Sequence, residues 1–212
     1  GFGMGNLKDS TLEKLADKGN GNYAYIDSLG EARKVLIEQM TGSLITIAKD
    51  VKIQVEFNPS QVNAYRLIGY ENRMLRSEDF NDDTKDAGEI GAGHTVTALY
   101  EVVPAGVEIE LPQVDELKYQ TPPEGAQGAE STDLLTLKIR YKGPDKDTSE
   151  KLEFPVHDTG AMFAESSDDF RFAASVAAFG MLARKSAHCG DVTYDSVTTW
   201  ASTCADRDEY RK

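Results

Sequence analysis

The side chains best suited to binding a metal ion lie in an acidic segment in the first half of the chain. Asp79, Asn81 and Asp83 have the 1, 3, 5 spacing of ligands in a calcium-binding loop. Such a loop also needs glycine at its sixth position and glutamate at its twelfth, where this chain has Thr84 and Ile90. The three residues are calcium candidates in a pattern that fails at two positions. We expect a solvated loop whose charged side chains cap turns, and no metal ion.

The histidines do not predict a zinc centre. A zinc site needs at least three converging protein ligands. No HxxxH or HExxH pattern joins the three histidines of the chain, which are His94, His157 and His188. His94 follows Gly93 at the predicted start of a strand, where a hydrogen-bonded structural histidine is the favoured interpretation.

One group of residues has the types needed for nucleophilic catalysis but lacks the motif. His157 and Asp158 precede Ser166 and Ser167, so a base, an acid and a nucleophile are all present. However, the sequence contains no GxSxG motif that would expose a serine on a sharp turn. We therefore expect no catalytic residues and predict that the chain is not an enzyme.

The charge of the chain excludes several classes of partner. Among its 212 residues, Asp and Glu number 36 and Lys and Arg 23, which gives a formal net charge of −13. Nucleic acids and anionic membranes attract basic surfaces, so we expect neither as a partner. The chain has no apolar run of about 18 residues, so we predict no membrane span. Its length allows one large domain or two small ones.

Three regions of the chain differ in the periodicity of their apolar residues. Residues 1–41 predict an α/β pattern of two helices and a short strand. Residues 42–160 contain alternating strands separated by turn residues, which predicts an antiparallel β-sandwich. Residues 161–212 predict two helices packed on the sandwich, one beginning near Asp168 and one near Tyr194. The predicted fold class is α+β, with three domains at these boundaries.

Two strand patterns predict which side chains face solvent. In residues 51–57 the apolar side chains alternate strictly with Lys52, Gln54 and Glu56, so we expect these three to point outward. Residues 94–103 are rich in β-branched and aromatic side chains and follow a glycine-rich entry, which predicts a second long strand. Lys52 is therefore predicted to lie in solvent.

Several long runs of the sequence are specific enough to compare with a known family. They are GFGMGNLKDSTLEKLADKGNGNYAYIDSLGEARKVL, IAKDVKIQVEFNPSQVNAYRLIGYENR, EDFNDDTKDAGEIGAGHTVTALYEV and DDFRFAASVAAFGMLAR. Together they resemble bacterial proteins that contain a von Willebrand factor type A domain. The first run is similar to the C-terminal end of the A domain, and the others to the C-terminal domain that follows it. The resemblance covers most of the chain.

The resemblance implies an interaction module without a cofactor of its own. The family's A domain binds a divalent cation through an Asp-x-Ser-x-Ser motif and later Thr and Asp positions, all of which would lie before Gly1. The family's C-terminal domain has no established chemistry. The resemblance therefore favours protein–protein interaction or assembly, with an unidentified protein partner and an extracytoplasmic location in the periplasm or at the cell surface.

The beginning of the chain has an unusual sequence for a natural N-terminus. It opens with GFGMGN, which the pattern predicts to be a passage from a strand into a loop. We therefore expect a truncated or processed fragment, with any export signal upstream of Gly1.

The two cysteines are candidates for a disulfide. Cys189 and Cys204 lie on either side of a short turn between the two predicted C-terminal helices, and an antiparallel helix pair can bring them within bonding distance. An oxidising compartment favours the bridge, whereas the cytosol favours two reduced core thiols. Because proteins of the resembling family are often exported, we favour the disulfide.

Exposed aromatic side chains give a second functional hypothesis. Tyr119 lies in a loop, residues 112–131, that is rich in proline, glycine and glutamine, and Tyr65 and Tyr70 flank a strand. With Trp200 these tyrosines would form a platform for a carbohydrate or another small ligand. The alternative function is therefore a carbohydrate-binding or ligand-binding β-sandwich. A third hypothesis, a hydrolase, requires a cluster of histidines and carboxylates that the sequence does not predict.

Overall fold

The computed structural model describes residues 1–2, 8–19, 21, 23–40, 45–70, 74–109, 131–204 and 211. Tyr119 and most of the predicted loop around it lie outside these residues. Within the described part, no helix is both long enough and apolar enough to cross a membrane.

The described residues form two antiparallel sheets and a C-terminal pair of helices, which confirms the predicted α+β class. The helices are α1 (Asp9–Lys18), α2 (Leu29–Arg33, continued by a π-helical turn, Lys34–Glu38), α3 (Asp168–Ala183) and α4 (Tyr194–Ser202). The strands are β1 (Thr46–Phe57), β2 (Val62–Ile68), β3 (Gly88–Gly91), β4 (Leu99–Pro104), β5 (Asp133–Lys142) and β6 (Glu150–His157). Short 3-10 turns span Ser77–Asn81 and Phe163–Glu165.

Contacts between residues divide the chain into two compact units. The first unit contains Gly1–Phe57, Arg73–Val96 and Leu135–Val156, and the second contains Asn58–Asn72, Thr97–Leu134 and His157–Lys212. The domain boundaries at residues 41 and 160 remain a prediction from sequence.

The first unit contains a four-stranded sheet in the order β3-β1-β5-β6. Strands β1 and β5 pair in antiparallel register, with Ile53 opposite Ile139 and Val55 opposite Leu137. Directly opposed residues of an antiparallel pair point to the same face of the sheet. These four apolar side chains therefore share one face, and the lysines and arginine that alternate with them share the other.

The expectation that Lys52 lies in solvent is wrong. Lys52 is only 5% exposed, whereas Ile53 on the opposite face is 51% exposed. The strand is irregular just before this point, because Asp50 has a positive φ of 51° and the pairing register shifts between Lys49 and Lys52. Alternation correctly separates two faces, but the polar face is the one that other residues of the unit cover.

The N-terminal residues of the first unit form a small parallel arrangement. Phe2 and Ile26 make a parallel bridge, and the Ile26 amide donates to the Gly1 carbonyl at 2.8 Å. Helix α1 is the connection between these two extended segments. Helix α2 begins after Ser28, whose hydroxyl accepts a hydrogen bond from the Glu31 amide at 3.2 Å and so caps the first turn.

The second unit contains a two-stranded sheet, β2-β4, and the C-terminal helices. Strand β4 begins at Leu99, so the prediction of a strand starting at His94 is wrong for its first five residues. The His94 amide instead donates to the Gly91 carbonyl at 3.0 Å across a turn in which Gly93 has a φ of 78°. A tight turn of this kind needs the left-handed conformation that glycine adopts without a steric penalty. Local β propensity was therefore not sufficient to extend the strand.

Both C-terminal helices begin where the sequence predicts. The Ser167 hydroxyl accepts from the Phe170 amide at 3.2 Å, and the Thr193 hydroxyl accepts from the Ser196 amide at 3.2 Å. Each bond satisfies a backbone donor that the first helical turn leaves unpaired. The two helices pack together, and Ala178 of α3 and Val197 of α4 are buried.

Candidate interaction surface

The three calcium candidates lie on the polar face of the four-stranded sheet, where protein donors contact them. Asp79 Oδ1 lies 3.7 Å from the Lys85 ammonium. Asn81 Oδ1 accepts a hydrogen bond from Arg140 at 3.4 Å. Asp83 accepts from the Ser149 amide at 3.3 Å and lies 3.9 Å from the Arg140 guanidinium. Among the described residues, no group of three or more acidic, histidine or cysteine side chains is arranged to hold a metal ion.

Two lysine ammonium groups occupy the centre of this acidic segment. Lys52 Nζ donates to the Asp79 carbonyl at 3.2 Å and also to the Asp82 carbonyl. Lys142 Nζ lies 2.7 Å from an Asp50 carboxylate oxygen and donates to the Asp83 carbonyl at 2.8 Å. We call these groups the lysine–carbonyl cluster; it comprises Lys52, Lys142, the Asp50 carboxylate and the carbonyls of Asp79, Asp82 and Asp83. Protein ammonium groups therefore supply the positive charge that a bound cation would supply in a calcium loop.

The cluster keeps its carboxyl groups ionised. Burial alone would raise the pKa of Asp50, but hydrogen bonds from Lys142 and the Ala87 amide outweigh it and lower that pKa. The Ser149 hydroxyl and amide lower the pKa of Asp83. The Thr84 hydroxyl and amide do the same for the pKa of Asp82. None of these shifts moves a carboxyl group toward neutral pH, so this segment does not supply a general acid.

The sequence contained a signal for this cluster that alternation alone missed. Lys52, Arg140 and Lys142 occupy one face of two adjacent strands, as the pairing of Lys52 with Arg140 demonstrates. A cationic face and an acidic segment in one chain favour each other electrostatically. Counting charges for each face would therefore have predicted a covered polar face.

The opposite face of the same sheet is apolar and exposed. Tyr141 donates to Glu150 at 3.4 Å, and Arg140 donates to Ser149 at 3.0 Å. These two contacts put the even-numbered residues of β6 on the same face as the odd-numbered residues of β5. We call this the open sheet face; its most exposed members are Ile53, Leu152, Phe154 and Val156.

A second apolar surface lies on the C-terminal helices. Val176 and Phe179 of α3 and Tyr194 of α4 are each more than half exposed. The Phe179 and Tyr194 rings meet edge to face, with centroids 6.1 Å apart. We call these three residues the helix patch. Two adjacent aromatic rings on rigid helices are typical anchors for a protein partner.

The aromatic residues proposed for a ligand platform belong to different clusters. Trp200 is half-buried and packs edge to face on Phe163, with ring centroids 5.2 Å apart. Tyr65 is exposed and lies 6.5 Å from the Tyr100 ring. The Tyr70 hydroxyl donates to the Thr97 carbonyl at 3.0 Å. Only the Tyr65–Tyr100 pair therefore offers an exposed ring surface within the described residues.

The histidine and serine residues considered for a triad make separate local contacts. His157 Nδ1 lies 3.0 Å from Asp133, while Asp158 accepts from the Gly160 amide at 2.8 Å. The Ser166 hydroxyl donates to the Phe163 carbonyl at 2.6 Å. The structure does not bring a base, an acid and a nucleophile together at these positions.

The two cysteines are free thiols in the structure. Cys189 is half-buried and Cys204 is buried. A hydrogen bond from the Thr203 hydroxyl, aided by Arg171, lowers the pKa of the Cys204 thiol despite its burial. The disulfide between them remains a prediction for the exported protein. Titration of the denatured, unreduced protein with a thiol reagent should give almost no reaction, whereas two reactive thiols would contradict the bridge.

Comparison with known proteins places the chain beside one bacterial relative. The family "Uncharacterized protein YfbK, C-terminal" matches residues 42–212. "Uncharacterized protein YfbK" of Escherichia coli (strain K12) is 42% identical over 208 residues, which cover 98% of this chain and 35% of that protein. The chain therefore spans about a third of the length of this relative. No solved structure matches the chain.

Proposed function

This chain belongs to the family of YfbK C-terminal domains, and from that premise we propose that it is a non-catalytic protein-interaction and assembly module of a longer bacterial protein. The observation that supports this proposal most directly is the helix patch. Phe179 and Tyr194 are exposed aromatic side chains on helices whose other apolar residues pack inside the second unit. Exposed rings in mutual contact present apolar area at little entropic cost to a partner.

The charge of the chain indicates the chemistry of that partner. With a net charge of −13, the chain attracts a protein whose binding surface is basic at its rim. The helix patch provides the apolar centre of the contact. We therefore propose a basic protein with an apolar pocket for Phe179 as the partner.

Site-specific crosslinking tests the helix patch. A photoreactive phenylalanine analogue at position 179, expressed in the source bacterium, should give one discrete crosslinked protein. That purified protein should then bind this chain, and Phe179→Asp should weaken binding by about 2 kcal/mol, or about thirtyfold, because a central aromatic anchor is lost and a charge is buried.

The matched control for this substitution is Val96→Asp. Val96 is also an exposed apolar residue, but it lies in the first unit. Its substitution should leave the dissociation constant within about twofold of wild type, as expected for a residue outside the contact. Equal affinities for wild type and Phe179→Asp, or crosslinks from position 96 only, would refute the helix patch as the site.

We further propose that residues 1–41 are the end of a von Willebrand factor type A domain. The parallel bridge between Phe2 and Ile26, with α1 as the connection, is the arrangement expected at one edge of a parallel sheet. Leu29, Leu36 and Ile37 near α2 are exposed, as helices are when the sheet they cover is absent. The family match begins at residue 42, whereas the identity to the relative extends over nearly the whole chain.

The coding sequence upstream of Gly1 tests this assignment. An Asp-x-Ser-x-Ser motif after an apolar strand would identify the cation-binding part of the A domain, which this chain itself does not contain. An export leader at the start of the same reading frame, with recovery of the protein in the periplasmic or surface fraction, would support the proposed extracytoplasmic location. Absence of both would leave neither proposal with support.

A ligand-binding function is the second candidate, favoured by the exposed Tyr65–Tyr100 pair. Tilted tyrosine rings 6.5 Å apart offer an apolar surface for a sugar ring. A glycan array should then give binding that Tyr65→Ala removes.

A further inference from the structure

We propose that the open sheet face packs against an apolar layer supplied by another part of the same, longer polypeptide. This contact is separate from the helix patch, because the two surfaces lie in different units. The inference therefore stands or falls independently of the proposed partner.

The two faces of the four-stranded sheet differ in what covers them. The polar face is held by the lysine–carbonyl cluster and by Phe80, which is only 5% exposed. On the apolar face, Phe154 is 46% exposed and Ile53 is 51% exposed. An antiparallel sheet normally buries one apolar face and leaves its polar face to water. Here the exposed face is the apolar one, which is the arrangement expected when a covering layer is missing.

The edges of the sheet disfavour the addition of a strand. Strand β3, at one edge, has only the four residues Gly88–Gly91. Strand β6, at the other edge, contains Lys151 and Pro155. Short edge strands, lysine and proline are the usual features that prevent edge pairing, because proline has no amide donor for a new ladder. A covering element must therefore stack on the face of the sheet.

The length of the relative identifies the source of that layer. Most of the polypeptide of the Escherichia coli relative lies outside the part that this chain matches. A layer within the same polypeptide needs no high free concentration, since the tether supplies a high effective one. A second copy of this chain is disfavoured, because each copy has a net charge of −13 and the two would repel.

Hydroxyl-radical footprinting tests the proposal without any substitution. The full-length protein encoded by the same gene and the present 212-residue chain are oxidised side by side, and the modification of individual phenylalanines is measured by mass spectrometry. Phe154 should be oxidised about fivefold more slowly in the full-length protein, in proportion to its lost accessible area. Phe179 is the exposed reference and Phe80 the buried reference, and the relative rates at both should be the same in the two samples.

Each other outcome overturns the inference. Equal oxidation of Phe154 and Phe179 in the full-length protein means that no layer covers the face. Slow oxidation of Phe154 already in the 212-residue chain means that the layer comes from the chain itself. Protection that disappears on dilution, together with a dimer by light scattering, assigns the face to a second copy.

Discussion

Lys52→Met should lower the local free energy of unfolding of the four-stranded sheet by about 3 kcal/mol. The methionine side chain has a similar length and keeps the apolar contacts of the lysine stem. It removes the ammonium that donates to the carbonyls of Asp79 and Asp82. Because Lys52 is only 5% exposed, water does not readily replace those two hydrogen bonds.

Hydrogen exchange of peptides from β1 and β5, measured across a urea series, gives this local free energy directly. The matched control is Lys151→Met on the exposed edge strand β6. Lys151 pairs with Glu153 at 2.6 Å, but both side chains are 46% exposed. An exposed pair of this kind contributes less than about 1 kcal/mol. If the two variants lose the same stability, the lysine–carbonyl cluster is not a stabilising element.

Phe80→Ala should destabilise the same unit by about 3–4 kcal/mol, as large-to-small substitutions in a core usually do. Phe80 lies in the 3-10 turn Ser77–Asn81 and is the buried residue of that turn. It holds the acidic segment against the sheet by apolar contact, whereas Lys52 holds it by hydrogen bonds. Loss of the ring leaves a cavity beneath the segment that the neighbouring side chains fill only in part.

Phe154→Ala is the control for the loss of an aromatic ring. Phe154 is 46% exposed in this chain, so its removal should cost no more than about 1.5 kcal/mol. Urea unfolding followed by hydrogen exchange of peptides from β1 and from residues 77–85 measures both variants. A Phe80→Ala variant as stable as Phe154→Ala would mean that the acidic segment is not anchored by its aromatic residue.

These two substitutions also explain why the calcium pattern was attractive and incomplete. Alternating Asp79, Asn81 and Asp83 direct oxygen atoms toward a common region, as a calcium loop does. In this fold Lys85, Arg140 and Ser149 contact those oxygens. Spacing along the chain identifies the acceptors, but it does not reveal whether the positive charge comes from a metal ion or from lysine and arginine.

The functional conclusion has the same two-part basis. Family membership identifies the chain as a YfbK C-terminal domain, whose printed description states no activity. The exposed helix patch and the open sheet face are properties of the folded chain, and they favour binding over catalysis. The proposals separate a partner at Phe179 from an intramolecular layer at Phe154, so that each has its own experiment.

The sequence by itself determined the features whose interactions are local. The starts of α3 and α4 follow from Ser167 and Thr193, each of which bonds an amide three residues later. The α+β class follows from the change between strand and helix periodicity. Tertiary structure alone decided which sheet face is covered, because Lys52 contacts carbonyls 27 and 30 residues away in the chain. It also decided that β4 begins at Leu99, since a strand forms only where a partner is in register, and alternation specifies two faces without specifying what will cover them.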